Sequence, residues 1–195
     1  MIKRYLKLRK KVLAILNTNL PKDLCYHDIE HTLDVVHVVN QYIRREKIDN
    51  YNAYLLRIAA LLHDIGFVVT KVEHEEKSIE IAEQLMLEFD FSPKDIELVK
   101  GLIKATRIPQ SPKNYLECIL CDSDLDYLGR KDFYQISAQL YQELKQSSIV
   151  SNKNEWNKAQ IKFLETHQYH TAFARKYRQP KKEKRILEIK KTIKD

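Results

Sequence analysis

The chain has 195 residues, enough for one domain with a sizeable core, and its 44% hydrophobic content excludes a disordered polymer. Three glycines and five prolines are too few for the many tight turns of an all-β fold, so the composition favours helices. The net charge of +7 is unevenly placed: residues 1–22 carry seven basic and no acidic residues, residues 174–195 ten basic and three acidic, and residues 23–173 seventeen basic against twenty-four acidic. No run approaches the roughly 18 apolar residues of a membrane span. Residues 1–7 alternate charge with apolar side chains and lack a signal-peptide core, so a cytoplasmic location is expected. Basic ends can meet nucleic acid or acidic lipid, but a solvated helix face is the simpler reading. No aromatic residue follows Tyr177, so a base-stacking surface is not expected at that end.

Taken in chain order, residues 2–17 read as an amphipathic helix with Leu6, Leu13, Ile15 and Leu16 among its apolar positions, ended by Asn17, Asn19 and Pro21. Asp28 is a candidate N-cap or first-turn acid for a helix running to about Lys47, with Ile29, Leu33, Val36, Val39 and Ile43 as its apolar stripe. A third helix, 52–64, ends at Gly66, expected in a left-handed turn. Residues 76–89 form the next, with Ile79, Ala82, Leu85 and Phe89 on one face. Ser92-Pro93 opens another. Pro109 and Pro112 mark a loop over 106–114. Helix 114–128, Gly129, helix 131–146, a polar loop over 147–154, and helices 154–167 and 171–194 complete the chain, the last broken or kinked at Pro180. There is no internal repeat, no convincing strand and no clear boundary, so a single all-helical domain over 1–195 is expected. The terminal helices leave packing within one chain or across a homo-oligomer open.

Three cysteines argue against a disulfide framework, and Cys118-x-x-Cys121 lacks the second pair of a zinc ribbon; both read as buried thiols. The chemistry lies elsewhere. His31, the dipeptide His63-Asp64, and Asp124 are two imidazoles and two carboxylates spread over half the chain. Asp124 lies in a segment apolar almost all round (Leu116, Cys118, Ile119, Leu120, Cys121, Leu125, Leu128), where an unpaired carboxylate costs several kcal/mol and calls for a cation. Imidazole with carboxylate suits divalent transition ions, and such an ion acidifies bound water and offsets phosphate charge. Asp122 and Asp126 are close by, so part of this acidity is open to a structural role. His27 precedes His31 by four residues and shares its face only if residue 27 is already helical.

The contexts Tyr26-His27-Asp28-Ile29-Glu30-His31-Thr32-Leu33-Asp34, Ala59-Ala60-Leu61-Leu62-His63-Asp64-Ile65-Gly66 and Cys121-Asp122-Ser123-Asp124-Leu125-Asp126 resemble the HD superfamily of metal-dependent phosphohydrolases. The resemblance covers about residues 24–130, with 131–195 similar to the additional C-terminal helices of small bacterial stand-alone members. It implies an all-α, HD-domain-like helical bundle around a metal site. His31, His63, Asp64 and Asp124 are its implied ligands for one or two divalent ions (Mn, Fe, Co, Ni or Mg). Asp124 is favoured over Asp122 because the family's last ligand usually follows a small residue, here Ser123. Asp64 is also implied to orient the attacking water, and His27 resembles the general acid of the superfamily's cyclic-nucleotide phosphodiesterases. His74 is a candidate for a second metal or a phosphate contact, and Lys104 and Arg107 for substrate phosphate; a salt bridge explains either cation more simply. Arg130 and Lys77 are weaker candidates of the same kind. The implied activity is cleavage of a nucleotide or other small phosphate ester by a metal-activated water. The alternatives are a cyclic-nucleotide-type phosphodiesterase and a nucleotide- or metal-sensing module with little catalysis. The adjacent His-His pair and Gly-Tyr-Pro signature of cyclic-di-nucleotide hydrolases are absent.

Overall fold

The computed structural model describes residues 1–193. Among them are ten α-helices and no strand, an all-α fold as the composition predicts. They are α1 (Ile2–Asn19), α2 (Ile29–Arg45), α3 (Asn50–Leu62), α4 (His74–Glu88), α5 (Pro93–Thr106), α6 (Tyr115–Asp124), α7 (Phe133–Gln146), α8 (Lys153–Thr166), α9 (Ala172–Tyr177) and α10 (Gln179–Lys190). Short 3-10 turns at Ile65–Val68 and Asp126–Gly129 complete the inventory. The predicted extension of the last helix to 194 reaches outside the described residues; within them, α10 stops at Lys190.

The helices group into two compact units, residues 1–22 with 27–124, and residues 23–26 with the described residues from 125 onward. In the first, α3 is buried almost all round, from Ala53 to Leu62, and α2, α5 and α6 pack on it. Two of the caps, at Asp28 and Ser92, are announced by the sequence, and the third, at Asp49, is not. Asp28 and Asp49 accept backbone N–H groups at the starts of α2 and α3, and Ser92 with Asp95 forms a reciprocal capping box at α5. The buried face of α2 runs through His31, Val35, Val39 and Tyr42 rather than through Ile29 and Leu33, which are only half-buried. Likewise α1 buries Leu8, Val12 and Leu16 and leaves Leu6 exposed.

Two expectations fail for identifiable reasons. Gly66 does not adopt a left-handed conformation; no described glycine does. It is required by close approach: a Cβ there would stand 2.0 Å from the His74 carbonyl oxygen and 2.7 Å from the Ser78 nitrogen. The helix expected over 114–128 ends at Asp124, because Leu125 leaves helical geometry (φ −104°, ψ 19°) before the following 3-10 turn.

The second unit has its own core, in which Leu128, Phe133, Ile161, Leu164, Tyr169 and Ile186 converge. The chain breaks near Pro180 as expected, with the proline placed in the first turn of α10. Asp126 has a structural role here. Its buried carboxylate accepts hydrogen bonds from Arg178 Nε at 2.6 Å and Nη2 at 3.0 Å. Removing one partner of a buried pair strands the other charge, so Asp126→Ala is expected to cost about 3–5 kcal/mol. Urea unfolding followed by the buried Trp156 checks this; a loss under about 1 kcal/mol contradicts it.

Candidate metal centre

The centre is assembled from helix ends in the first unit. His31 lies in the first turn of α2, its backbone N–H donating to the Asp28 carboxylate at 2.9 Å. His63 follows the last residue of α3 and keeps helical angles (φ −58°, ψ −37°). Asp64 departs to φ −110°, ψ 8°. That departure matters: successive residues of a continuing helix point about 100° apart, whereas here Asp64 Oδ2 returns to 3.2 Å from His63 Nε2. Asp124 is supplied by the C-terminal residue of α6.

The donor atoms converge. His31 Nε2 lies 3.3 Å from His63 Nε2, 3.4 Å from Asp64 Oδ2 and 3.2 Å from Asp124 Oδ1. His63 Nε2 is 3.5 Å from the same Asp124 oxygen. One atom each from His31, His63 and Asp124 falls within a 4.8 Å cluster. His63 Nδ1 is 2.9 Å from the Ala60 carbonyl oxygen. A carbonyl only accepts, so Nδ1 carries a proton and Nε2 is the nitrogen turned to the cluster, the one that would ligate a metal once its own proton is released. Two imidazole nitrogens and two carboxylate oxygens facing one point, almost fully buried, form a donor set suited to a divalent transition ion. Without a cation, protons must hold the cluster together. Burial opposes charge on His31, but the Asp124 and Asp64 carboxylates outweigh it and raise its pKa to about 9. Burial likewise opposes ionisation of Asp124, and hydrogen bonds from His31 and His63 bring its pKa down to about 2.

His74, expected before the start of its helix, is instead the first residue of α4. Its Nε2 lies 3.3 Å from Asp64 Oδ1, so a single carboxylate touches three imidazoles. Glu75, which sequence reasoning missed inside a charged stretch, is buried with Oε1 3.6 Å from the same nitrogen. Glu73, in left-handed geometry (φ 52°, ψ 39°), sets the turn that delivers His74. His27 lies outside α2, preceding its N-cap, yet its ring centroid is 5.9 Å from that of His31. Phe67, also missed, stacks on His27 at 4.3 Å and on His74 at 4.0 Å, and those two rings are 6.1 Å from each other.

Other candidates fall elsewhere. Arg107 donates to Glu73 at 3.0 Å and Glu76 at 3.4 Å. With Lys104 it lines a cavity of about 280 Å³ whose lining includes none of the four candidate ligands. Lys77 pairs with Glu80, and Arg130 with Asp132. Asp122 is fully buried in α6 but does not join the cluster. Cys121 is a buried free thiol whose Sγ donates to the Ala105 carbonyl, and Cys118 is half-buried and also free.

An all-helical fold presenting a buried His/His-Asp/Asp cluster defines a class, and comparison with known proteins agrees with it. Residues 28–190 match the model of the HD domain. The chain belongs to the HD superfamily of metal-dependent phosphohydrolases. The match extends beyond the 24–130 span over which the motifs are recognisable. An uncharacterized protein of Clostridium beijerinckii is 30% identical over 100 residues, which cover 49% of this chain and 63% of that protein. No solved structure matches. Among the described residues, no helix is long and apolar enough to cross a membrane.

Proposed function

We propose that this protein is a metal-dependent phosphohydrolase acting on a nucleotide or another small phosphate ester. The observation that carries this reading is the convergence of His31, His63, Asp64 and Asp124 on one buried point. These four residues would hold a divalent ion (Mn, Fe, Co, Ni or Mg), and His74 with Glu75 would serve a second ion or a phosphate oxygen. When bound, the ion supplies Lewis acidity, lowering the pKa of water and offsetting charge on the phosphate. The chain's own contributions are positional and acid–base. Asp64 presents one oxygen to the His31–His63 pair and the other to His74, which fixes where a nucleophilic water stands. His27, half-exposed beside the cluster, protonates the leaving oxygen. Lys104 and Arg107 would meet a more distant charged group of the substrate.

Two expectations follow. His27→Asn should lower kcat by about 10²–10⁴-fold with metal affinity retained, the signature of a lost general acid. Equal kcat in the variant would remove His27 from the chemistry. The metal-free protein should also show a defined pH profile. The raised pKa of His31 contributes stability that is complete below its ordinary 6.5 and lost as pH rises through about 9. The lowered pKa of Asp124 contributes stability present above 3.8 and lost as pH falls through about 2. Urea midpoints should therefore be lower at pH 9 than at pH 6, and Mn²⁺ should restore the value at pH 9. A profile flat over that interval with no metal effect would contradict the assignment.

The reading is tested by measuring ester cleavage by metal-stripped protein resupplied with Mn²⁺, Mg²⁺, Co²⁺ or Ni²⁺. The panel comprises nucleotides, 3′,5′-cyclic nucleotides and generic phosphate mono- and diesters. Preference for cyclic nucleotides selects the phosphodiesterase form of the proposal, which the nearness of His27 to the cluster favours. Metal binding without turnover across the panel points to a sensing module, and absence of both turnover and metal binding overturns the proposal.

A further inference from the structure

We propose that the outward face of α1 docks the protein on an anionic lipid surface. The helix contains six basic residues and no acidic one. The structure sorts these six into two sets. Arg4 lies over the Phe91 ring at 5.1 Å, Lys11 reaches the Glu88 carboxylate at 2.5 Å, and Arg9 is half-buried near Tyr5. Lys3, Lys7 and Lys10 are exposed and make no ion pair among the described residues. At about 100° per residue these three lysines share one strip of the helix, and Ile2, Leu6 and Leu13 form the strip beside it. Ile2 is 76% exposed and Leu6 56%, while the face that holds α1 to the unit is Leu8, Val12 and Leu16. Exposed aliphatic side chains next to unpaired lysines on a helix with no carboxylate match the interfacial layer of an anionic bilayer, where apolar burial and attraction to headgroups act together.

The same chemistry disfavours the rivals. A nucleic acid offers nothing to Ile2 and Leu6, and the strip beside them, Lys3, Lys7 and Lys10, is all lysine, without the arginine or aromatic planes on which bases stack. A second copy meeting this face across a two-fold axis would bring the lysine strips of both copies together. A specific protein partner is expected to find aromatic or arginine anchors, and this face presents flexible lysines instead.

The test is co-sedimentation of the intact protein with phosphatidylcholine vesicles with or without about 30 mol % phosphatidylglycerol. Binding is expected to the anionic vesicles alone and to weaken with added salt. Combined Lys3→Glu, Lys7→Glu and Lys10→Glu substitutions should reduce it at least about tenfold, and Ile2→Ser with Leu6→Ser several-fold. Circular dichroism checks that the variants fold. Neither set touches the candidate metal centre, so hydrolysis of a soluble ester should be unchanged, which separates this inference from the proposed activity. No sedimentation with anionic vesicles at low salt would overturn it. So would full retention of binding by the Ile2→Ser, Leu6→Ser variant, which would make the face a general polyanion patch.

Discussion

Asp64→Asn is expected to lower metal-dependent ester cleavage by at least about a thousandfold while the protein stays folded. The substitution keeps the shape of the side chain and removes its charge. That charge is used three times: Oδ2 lies 3.4 Å from His31 Nε2 and 3.2 Å from His63 Nε2, and Oδ1 lies 3.3 Å from His74 Nε2. Burial of this carboxylate is opposed chiefly by the charge of His63, then by hydrogen bonds from His31, His63 and His74, and the balance holds its pKa well below the usual range. The amide can offer one oxygen to the cluster, but its NH₂ group then faces an imidazole or a metal and cannot ligate. Metal affinity and turnover should therefore fall together. Asp122→Asn, in the same region but outside the cluster, is the control, and its metal affinity should be unchanged. Retention of more than about a tenth of wild-type turnover by Asp64→Asn would remove Asp64 from the centre.

The second large effect is expected from a residue with no side chain. In Gly66→Ala the new methyl carbon would sit 2.0 Å from the His74 carbonyl oxygen and 2.7 Å from the Ser78 nitrogen, both backbone atoms that no rotamer change can move. The Gly66 N–H also donates to Ser78 Oγ at 2.8 Å, so the turn after Asp64 and the start of α4 are locked together. Relief requires shifting α4, which carries His74 and Glu75. Overpacking of this kind typically costs 1–3 kcal/mol, and a clash against backbone belongs at or above the upper end, about 3 kcal/mol or more. Chemical denaturation should register that loss, and surviving folded protein should bind metal more weakly because His74 and Glu75 move with the helix. A variant of wild-type stability would show that α4 is free to shift.

Much of this was legible because helix signals are local. The caps at Asp28 and Ser92, the break near Pro180 and the helical period over most of the chain follow from nearest neighbours along the sequence. The four candidate ligands were also legible, because each stands in a short and distinctive context. What was not legible depends on contacts between segments far apart in sequence. Gly66 reads as a helix terminator until α4 is seen against it. Phe67 looks like any core residue until both His27 and His74 are found stacked on it. Glu75 is hidden in the acidic run Glu73-His74-Glu75-Glu76, where nothing local distinguishes the buried acid from its more exposed neighbours. The end of α6 at Asp124 was missed because Leu125 and Leu128 continue its apolar period, although they belong to the core of the other unit.

Calorimetric titration of Mn²⁺ into metal-stripped wild-type protein and Asp64→Asn, with ester cleavage assayed on the same samples, decides whether these four residues form a catalytic metal centre. Such a centre requires saturable binding of one or two ions per chain with release of protons, turnover that rises with occupancy, and loss of both in the variant. Turnover by the metal-stripped protein that added metal does not change, or metal binding that Asp64→Asn leaves intact, would contradict it.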